Sequence, residues 1–295
     1  MHATRENLDL DAGAREVRAL IEKTICRTSL KSIVNRCGHV SGGGKMLRAR
    51  LILCVGPAAG VARPVLLGTG AAVEMLQSAS LLHDDVVDGG TERRGKPAFW
   101  VKEGSKASVL LGDLLVSQAV GHVQSLLPEV MPVLVATLQE MCDAEVEQEF
   151  HITSEAGPWE QSVSIARRKT GSLFGLAACC AGGKDVRLSQ ALRRAGYAVG
   201  TAYQLADDLL DTGNDPVLAG KTLGTDALSD KITAATSWRA GGQDPIAYIE
   251  ELLRASGEEL AAWPDVQAAW EQYAGQVIGP VIQSFVRCAA VGEFA

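Results

Sequence analysis

Apolar residues recur at i, i+3 and i+4 over long stretches of the chain, as in Val133, Leu134, Leu138 and Met141 and again in Val163, Ile165 and Ala166. That spacing lines one face of an α-helix, whereas the strict alternation that marks a half-buried strand is scarce. The pattern predicts a chain that is nearly all helix. Three segments, Leu66–His83, Leu110–Val120 and Ala195–Ala206, have almost no charge on any face, and a helix apolar all round belongs inside a large bundle. Gly and Pro gather at Gly42-Gly43-Gly44, Gly56-Pro57, Gly89-Gly90, Gly182-Gly183, Gly213–Pro216 and Gly241-Gly242, which predicts breaks between helices there. No unit of roughly 20–50 residues repeats, so a solenoid is not expected.

Two of these helical stretches run into the same motif. Asp84-Asp85-Val86-Val87-Asp88 and Asp207-Asp208-Leu209-Leu210-Asp211 both read Asp-Asp-x-x-Asp. Residues four apart share a helix face, so Asp84 with Asp88, and Asp207 with Asp211, each aim paired carboxylates in one direction. Like charges at that spacing repel. A hard divalent cation removes the repulsion, and carboxylates together with phosphate oxygens are the ligand set Mg²⁺ takes. One such cluster is equally well a solvated helix end, but two, each closing a core helix, predict a metal site.

Basic residues of matching chemistry flank the acids. Arg93-Arg94-Gly95-Lys96-Pro97 follows the first cluster, Gly43-Gly44-Lys45-Met46-Leu47-Arg48 lies upstream, and Lys169-Thr170-Gly171, Gly220-Lys221 and Lys231 come later. Arg offers a planar fork for phosphate oxygens and Lys a point charge. Acids and cations together predict a site for diphosphates. The chemistry that fits is ionisation of a diphosphate ester: metal neutralises the charge developing on the leaving group, and a carbocation remains in an apolar cavity. No Ser/His/Asp triad or catalytic Cys/His pair is apparent, which agrees with a reaction that needs no protein nucleophile. A second basic set implies a second anionic substrate.

Composition narrows the classes further. The 295 residues carry a net charge of −7 with no clustered basic stretch, which excludes polymeric nucleic acid as a partner. Without the six aspartates of the two clusters the chain is one charge from neutral, so its acidity belongs to the proposed metal site. Hydrophobic residues make up 47% and aromatics 5%, enough for a large core of Ala, Leu and Val and incompatible with a disordered or collagen-like chain. The longest charge-free runs, Leu114–Pro128 and Gln272–Val286, have 15 residues each, short of the ~18 that a membrane span needs. Mixed charges near Met1 with no apolar run behind them make no secretory signal. No transmembrane segment and a cytoplasmic location are therefore expected. The seven cysteines form no Cys-x-x-Cys, and Cys54, Cys179 and Cys180 stand among apolar residues, where cysteine packs as a small hydrophobe. The five histidines form no pair at zinc spacing.

In these strings the sequence resembles the trans-isoprenyl diphosphate synthases, the polyprenyl synthetase family, from about Gly42 to Thr233. The resemblance rests on Gly43-Gly44-Lys45-Met46-Leu47-Arg48, Leu81-Leu82-His83-Asp84-Asp85-Val86-Val87-Asp88, Arg93-Arg94-Gly95-Lys96-Pro97, Gly112-Asp113-Leu114-Leu115, Lys169-Thr170-Gly171-Ser172-Leu173-Phe174, Tyr203-Gln204-Leu205-Ala206-Asp207-Asp208-Leu209-Leu210-Asp211 and Gly220-Lys221, in the family's order. It implies an all-α fold, a single domain over residues 1–295 with long helices around a central apolar cavity, usually as a homodimer. The implied reaction condenses an allylic diphosphate with isopentenyl diphosphate head to tail, using Mg²⁺, three ions when substrate is bound. Carried over position by position, Asp84, Asp88 and Asp207 resemble metal ligands, supported by Asp85, Asp208 and Asp211. Arg93, Lys169, Thr170, Gln204 and Lys221 resemble contacts to the allylic diphosphate, and the six aspartates with Lys169 and Lys221 make up the implied catalytic set. Lys45, Arg48 and Arg94 resemble the isopentenyl diphosphate pocket, with Gln77 where many members carry His and Lys231 as a further substrate contact.

The chain also departs from that pattern. Gln77 can hydrogen-bond phosphate but carries no charge. Met46 and Ala49 stand where Arg and Pro are usual, Asp230 replaces the Gly before Lys231, Ala234 stands where a Leu-Pro would follow, and the stretch after residue 234 is short. The aspartates are untouched, so a catalyst is expected. Ala79 and Ser80 lie five and four residues before Asp84, about 6–7.5 Å along a helix axis, and both are small. A growing chain passes them, whereas family members that stop early tend to place an aromatic floor there. The expectation is a product longer than farnesyl diphosphate, in the hexaprenyl to octaprenyl range. Competing readings are a farnesyl or geranylgeranyl diphosphate synthase and a subunit of a heteromeric synthase with little activity alone. A terpene cyclase has no need of Lys45, Arg48 and Arg94, and a His-Asp phosphohydrolase built on His83-Asp84 lacks further histidines.

Overall fold

The computed structural model describes residues 9–29, 31, 44–152, 157–210, 233, 237 and 244–292. In chain order they form α1 (Leu10–Ile25), α2 (Leu47–Val55), α3 (Arg63–Val87), α4 (Phe99–Glu103), α5 (Ser105–Leu126), α6 (Met131–Glu149), α7 (Pro158–Ala166), α8 (Ser172–Ala181), α9 (Val186–Leu210), α10 (Pro245–Glu258), α11 (Pro264–Tyr273) and α12 (Gly279–Gly292). The chain is all-α, as the spacing predicts. Helices stop where Gly and Pro predict: Gly44 precedes α2, Gly56-Pro57 follow it, Gly89-Gly90 follow α3, and Gly182-Gly183 part α8 from α9. The breaks expected at Gly213–Pro216 and Gly241-Gly242 lie outside the described residues.

One short element is not helical. β1 (Glu92–Arg93) and β2 (Lys96–Pro97) form a ribbon that pairs Glu92 with Pro97 and Arg93 with Lys96. Arg94 and Gly95 both have positive φ, 55° and 68°, which is what a two-residue hairpin turn needs for its twist to match the strands. Strands two residues long cannot display an alternation, so periodicity does not reveal them.

The absence of charge on α3 and its burial have one cause. Ala71, Ala72, Val73, Met75 and Leu76 are all buried, on every side of the helix, because α1, α2, α5 and α8 surround it. By length and composition α3 is the one described helix that could cross a membrane, a possibility the charge-free run lengths do not reveal because Glu74 interrupts the run. In the bundle 61% of its apolar window is buried against protein. Around α9 a second apolar cluster joins α2, α8 and α10–α12. Cys54, Cys179 and Cys180 lie in these cores, and burial pushes the Cys54 and Cys179 thiols up to about 11.

Glycines bring α8 and α9 into backbone contact. A Cβ on Gly200 would lie 2.7 Å from Gly171 Cα, and one on Gly196 would lie 2.5 Å from the Phe174 carbonyl oxygen. No side chain fits at either position, and this close approach sets the distance from α9, which carries Gln204, to α8 and to Thr170 just before it.

Candidate active site

The first acidic motif falls at a helix C-terminus. Asp84 and Asp85 are in the last turn of α3 with Asp88 as its C-cap, the Asp88 amide donating to the Asp84 carbonyl at 2.8 Å. Asp207 and Asp208 follow Ala206 on α9. Unpaired carbonyls already make the end of α3 negative, so Asp84 and Asp88 stand at its unfavourable pole and require positive charge. At 3.6 residues per turn the α3 aspartates divide between two faces. Asp85, buried, faces Arg93, whose Nε and Nη2 reach its Oδ1 at 2.7 and 2.6 Å. Burial pushes the Asp84 carboxyl up to about 7; Lys169 and Arg93 oppose that shift while Glu145 and Asp88 add to it.

A divalent cation fits that excess of negative charge. Among the described residues no three acids converge closely enough to hold a metal by themselves. Asp211, the third member of the second motif, lies outside them. Asp84 with Asp88 on α3, and Asp207 on α9, are thus acidic groups suited to an ion whose shell is completed by phosphate oxygens and water.

Lys169 and Thr170 are placed by a single π-turn, Arg167–Gly171, between α7 and α8, a geometry that recurs at functional sites. It carries Lys169 onto α6, where Nζ lies 2.5 Å from Glu145 Oε2 and donates to Gln148 Oε1 at 2.9 Å. Next along the turn, Thr170 Oγ1 donates to Gln204 Oε1 at 2.6 Å, and Gln204 Nε2 donates to Asp208 Oδ1 at 2.7 Å. The contact of Gly171 with Gly200 makes that relay possible. Lys221 and Lys231 lie outside the described residues.

Arg48 and Arg94 gather around Glu74, and Lys45 lies beside Arg94. Met46, left-handed at φ 50°, is the N-cap of α2 and offers no side-chain cap. The cap comes from α3 instead: Glu74 Oε1 accepts from the Ala49 amide at 3.0 Å, and the Arg48 amide also donates to Glu74. Both Arg48 and Arg94 feel the charge of this buried carboxylate. Arg48, itself buried, stacks 4.3 Å from the centre of the Phe174 ring. Lys45 lies 5.1 Å over Phe285, its ammonium held below the usual lysine value by burial, with Asp207 opposing that shift. Tyr203 sits between the two rings, 5.9 Å from Phe174 and 5.6 Å from Phe285. Gln77 is half-buried one turn beyond Glu74, and its carbonyl accepts from Ser80 Oγ at 3.0 Å. Ala79 is buried in the apolar cluster around α3, and Ser80 is half-buried.

Sequence reasoning did not single out Glu74, Glu145 or Gln148. Glu74 is the one carboxylate in the run Leu66–His83, and a lone acid in an otherwise apolar helix was the available signal. Glu145 and Gln148, three apart on α6, share a face, but nothing local assigns Lys169 to them.

A family model described as Polyprenyl synthetase matches residues 31–262. The chain belongs to the polyprenyl synthetase family. Among its relatives in that family, octaprenyl diphosphate synthase of Escherichia coli is 34% identical over 207 residues, 68% of this chain and 64% of the relative. The chain therefore spans somewhat under two thirds of that relative's length. Geranylgeranyl diphosphate synthase of Mycobacterium tuberculosis is 32% identical over 234 residues, 72% of this chain and 67% of the relative. Among solved polyprenyl synthetase structures, a polyprenyl synthase from Caulobacter crescentus complexed with calcium and isoprenyl diphosphate superposes with a TM-score of 0.70 at 30% identity, covering 97% of this chain and 89% of that one.

Proposed function

We propose that this protein is a Mg²⁺-dependent prenyltransferase that condenses an allylic diphosphate with isopentenyl diphosphate head to tail, giving a trans-polyprenyl diphosphate in the hexaprenyl to octaprenyl range. The observation that carries the reading is the division of the cations into two sets. Lys169 and Arg93 bear on Asp84 and Asp85, whereas Arg48 and Arg94 bear on Glu74, with Arg48 over Phe174 and Lys45, beside Arg94, over Phe285. Two anionic substrates need two such sets.

Asp84, Asp88 and Asp207, backed by Asp85, Asp208 and Asp211, are the residues to hold Mg²⁺, which when bound would supply neutralisation of the departing diphosphate. Lys169 and Thr170 orient the allylic diphosphate, with Gln204 fixed between Thr170 and Asp208. When the allylic C–O bond breaks, its electron pair leaves with the diphosphate, and the preplaced charges of Lys169 and Arg93 favour that developing anion. Lys45, Arg48 and Arg94 hold isopentenyl diphosphate so that its double bond attacks the allylic carbon. A new C–C bond forms, and the proton lost from the isopentenyl unit passes to the diphosphate. Lys221 and Lys231 belong to the same reading as further contacts.

Purified protein incubated with Mg²⁺, isopentenyl diphosphate and farnesyl diphosphate, followed by chromatographic sizing, tests this. Hexaprenyl to octaprenyl products are expected; geranylgeranyl as the end product would establish the shorter-chain alternative. No elongation alone, with activity restored by a second protein, would make the chain a subunit of a heteromeric synthase. Ser80→Phe should shorten the product by at least one isoprene unit. Ala79→Phe should do the same, but at a stability cost of roughly 1–3 kcal/mol for overpacking a closed core. Unchanged chain length in Ser80→Phe would remove α3 as the wall that the product passes.

The same reading makes the protein a cytoplasmic homodimer. Val101 on α4 and Val109 and Leu110 on α5 are 47%, 41% and 61% exposed, an apolar strip suited to a second copy. Sedimentation should give a dimer for the native chain and a monomer for Leu110→Lys; a monomeric native chain at micromolar concentration would end the dimer reading.

A further inference from the structure

α1 lies against the Glu74 pocket, and one of its residues is out of keeping with the rest. Val17 and Ile21 are buried, and α1 approaches α3 where Gly70 leaves room: a Cβ there would meet Val17 Cγ2 at 3.4 Å. The arginines that α1 carries or touches mostly have carboxylates. Arg15 pairs with Asp9 at 3.7 Å, Arg63 with Glu16 at 2.6 Å, and Arg50 with Asp11. Arg18, next to Val17 at the edge of the buried stripe, has no acid partner among the described residues. Its Nη2 rests 3.8 Å from Met46 Sδ, a weak acceptor, and its Nε is buried without any acceptor. A buried, unmet charged donor is costly.

The surroundings show what Arg18 is placed for. Met46 stands between Lys45 and Leu47 at the turn into α2, so Arg18 reaches that turn from the α1 side. Arg94 reaches it from the hairpin, its Nη2 3.2 Å from where a Cβ on Gly44 would be. Arg18 and Arg94 feel each other's charge, as do Arg94 and Lys45. Arg48 Nε is also buried without an acceptor. Lys45, Arg48, Arg94 and Arg18 therefore stand around one turn, faced by the buried carboxylate of Glu74 and, for Lys45, by Asp207, whereas Arg50, which donates from Nε to the Lys45 carbonyl, is matched by Asp11. A multiply charged anion satisfies the unmet donors and relieves the repulsion together.

We propose that Arg18 is a binding residue for isopentenyl diphosphate, donating from α1 to the diphosphate that Lys45, Arg48 and Arg94 hold. The inference rests on the reading of that pocket given above. It makes the seating of α1 part of second-substrate recognition, because withdrawing the helix removes one of the four cations.

Full-length protein in which Arg18→Gln, Arg18→Lys and Arg94→Gln are each introduced tests the inference. Binding of isopentenyl diphosphate is measured by calorimetry without allylic substrate, together with KM for both substrates and the melting temperature. Arg18→Gln should weaken isopentenyl diphosphate binding about tenfold, as for one lost charge-assisted hydrogen bond, with KM for the allylic substrate and kcat within about twofold of native. Arg18→Lys, which keeps the charge without the fork, should recover part of the loss. Arg94→Gln weakening the ligand while Arg18→Gln does not would overturn the assignment of Arg18 and leave the pocket standing. Neither variant weakening it would overturn the pocket itself. Equal loss for both substrates with a lowered melting temperature would make Arg18 a packing residue of α1 and likewise end the proposal.

Discussion

Asp84→Asn will lower turnover by about 10³-fold or more while raising the melting temperature of the metal-free protein. The first effect follows from the reading of Asp84 as a metal ligand: an amide carries no charge to fix the ion that stabilises the departing diphosphate, and single groups of this kind commonly contribute that factor. The second follows from the cost of the charge itself. Burial lifts the Asp84 carboxyl from 3.8 to about 7, so the folded chain holds this proton more tightly than the unfolded chain. Between those values the folded state binds more protons, and stability falls as pH rises. At pH 8 the native carboxylate is ionised at its full cost, whereas Asn never ionises. Discounted because the side chain is partly exposed, the gain is about 1–2 kcal/mol, or a few degrees. The advantage of Asn should shrink at pH 5, and Mg²⁺ with diphosphate should raise the melting temperature of the native chain and not of the variant. Activity within tenfold of native would remove Asp84 from the metal site; a variant no more stable at pH 8 than at pH 5, relative to native, would show that burial is not what the carboxylate pays for.

What was legible in the sequence was local along one helix. The apolar periodicity, the glycine breaks around α2, α3 and α8, and the two acidic motifs each depend on residues within a turn or two of one another, and the aspartates of α3 divide between faces as their spacing dictates. What was not legible was the choice of partner across helices. Lys169 takes Glu145 and Gln148 from α6 because a π-turn rotates it there, and Thr170 meets Gln204 because Gly171 and Gly200 let two backbones touch. Arg93 and Arg94, adjacent in sequence, are sent to Asp85 and to the Gly44 turn by a hairpin of two-residue strands. None of these follows from hydrophobic period, since each depends on a helix-to-helix distance or a turn conformation. The run Leu66–His83 is the instructive case: its near absence of charge correctly places α3 in the core, yet the one carboxylate in it organises the second basic set.

Replacing that carboxylate gives the other large expected effect. Glu74→Ala removes the acceptor of the Ala49 and Arg48 amides at the start of α2, where left-handed Met46 supplies no cap, and it leaves the buried Arg48 guanidinium without its counter-charge. Leaving a buried amide without its acceptor typically costs about 1–3 kcal/mol, so the loss at two amides, with a buried guanidinium no longer faced by negative charge, lowers the melting temperature by roughly 6–15 °C in a chain of this size. Glu74→Gln should be far milder. Burial raises the Glu74 carboxyl above its usual value despite the amides and arginines around it, so the charge is itself a net cost, and the amide side chain keeps an acceptor for Ala49 while giving up only the charge. The two variants should therefore separate stability from recognition. In Glu74→Ala the melting temperature falls and KM for isopentenyl diphosphate rises about tenfold or more, because Arg48 and Arg94 lose the group that holds them in register. In Glu74→Gln most of the melting temperature is retained, while KM for isopentenyl diphosphate still rises and KM for the allylic substrate does not. Thermal melts and steady-state kinetics on both variants decide the matter: equal melting temperatures for Ala and Gln would mean that the α2 cap does not depend on Glu74, and a rise in allylic KM matching that for isopentenyl diphosphate would mean that Glu74 supports the bundle as a whole and has no particular bond to the second pocket.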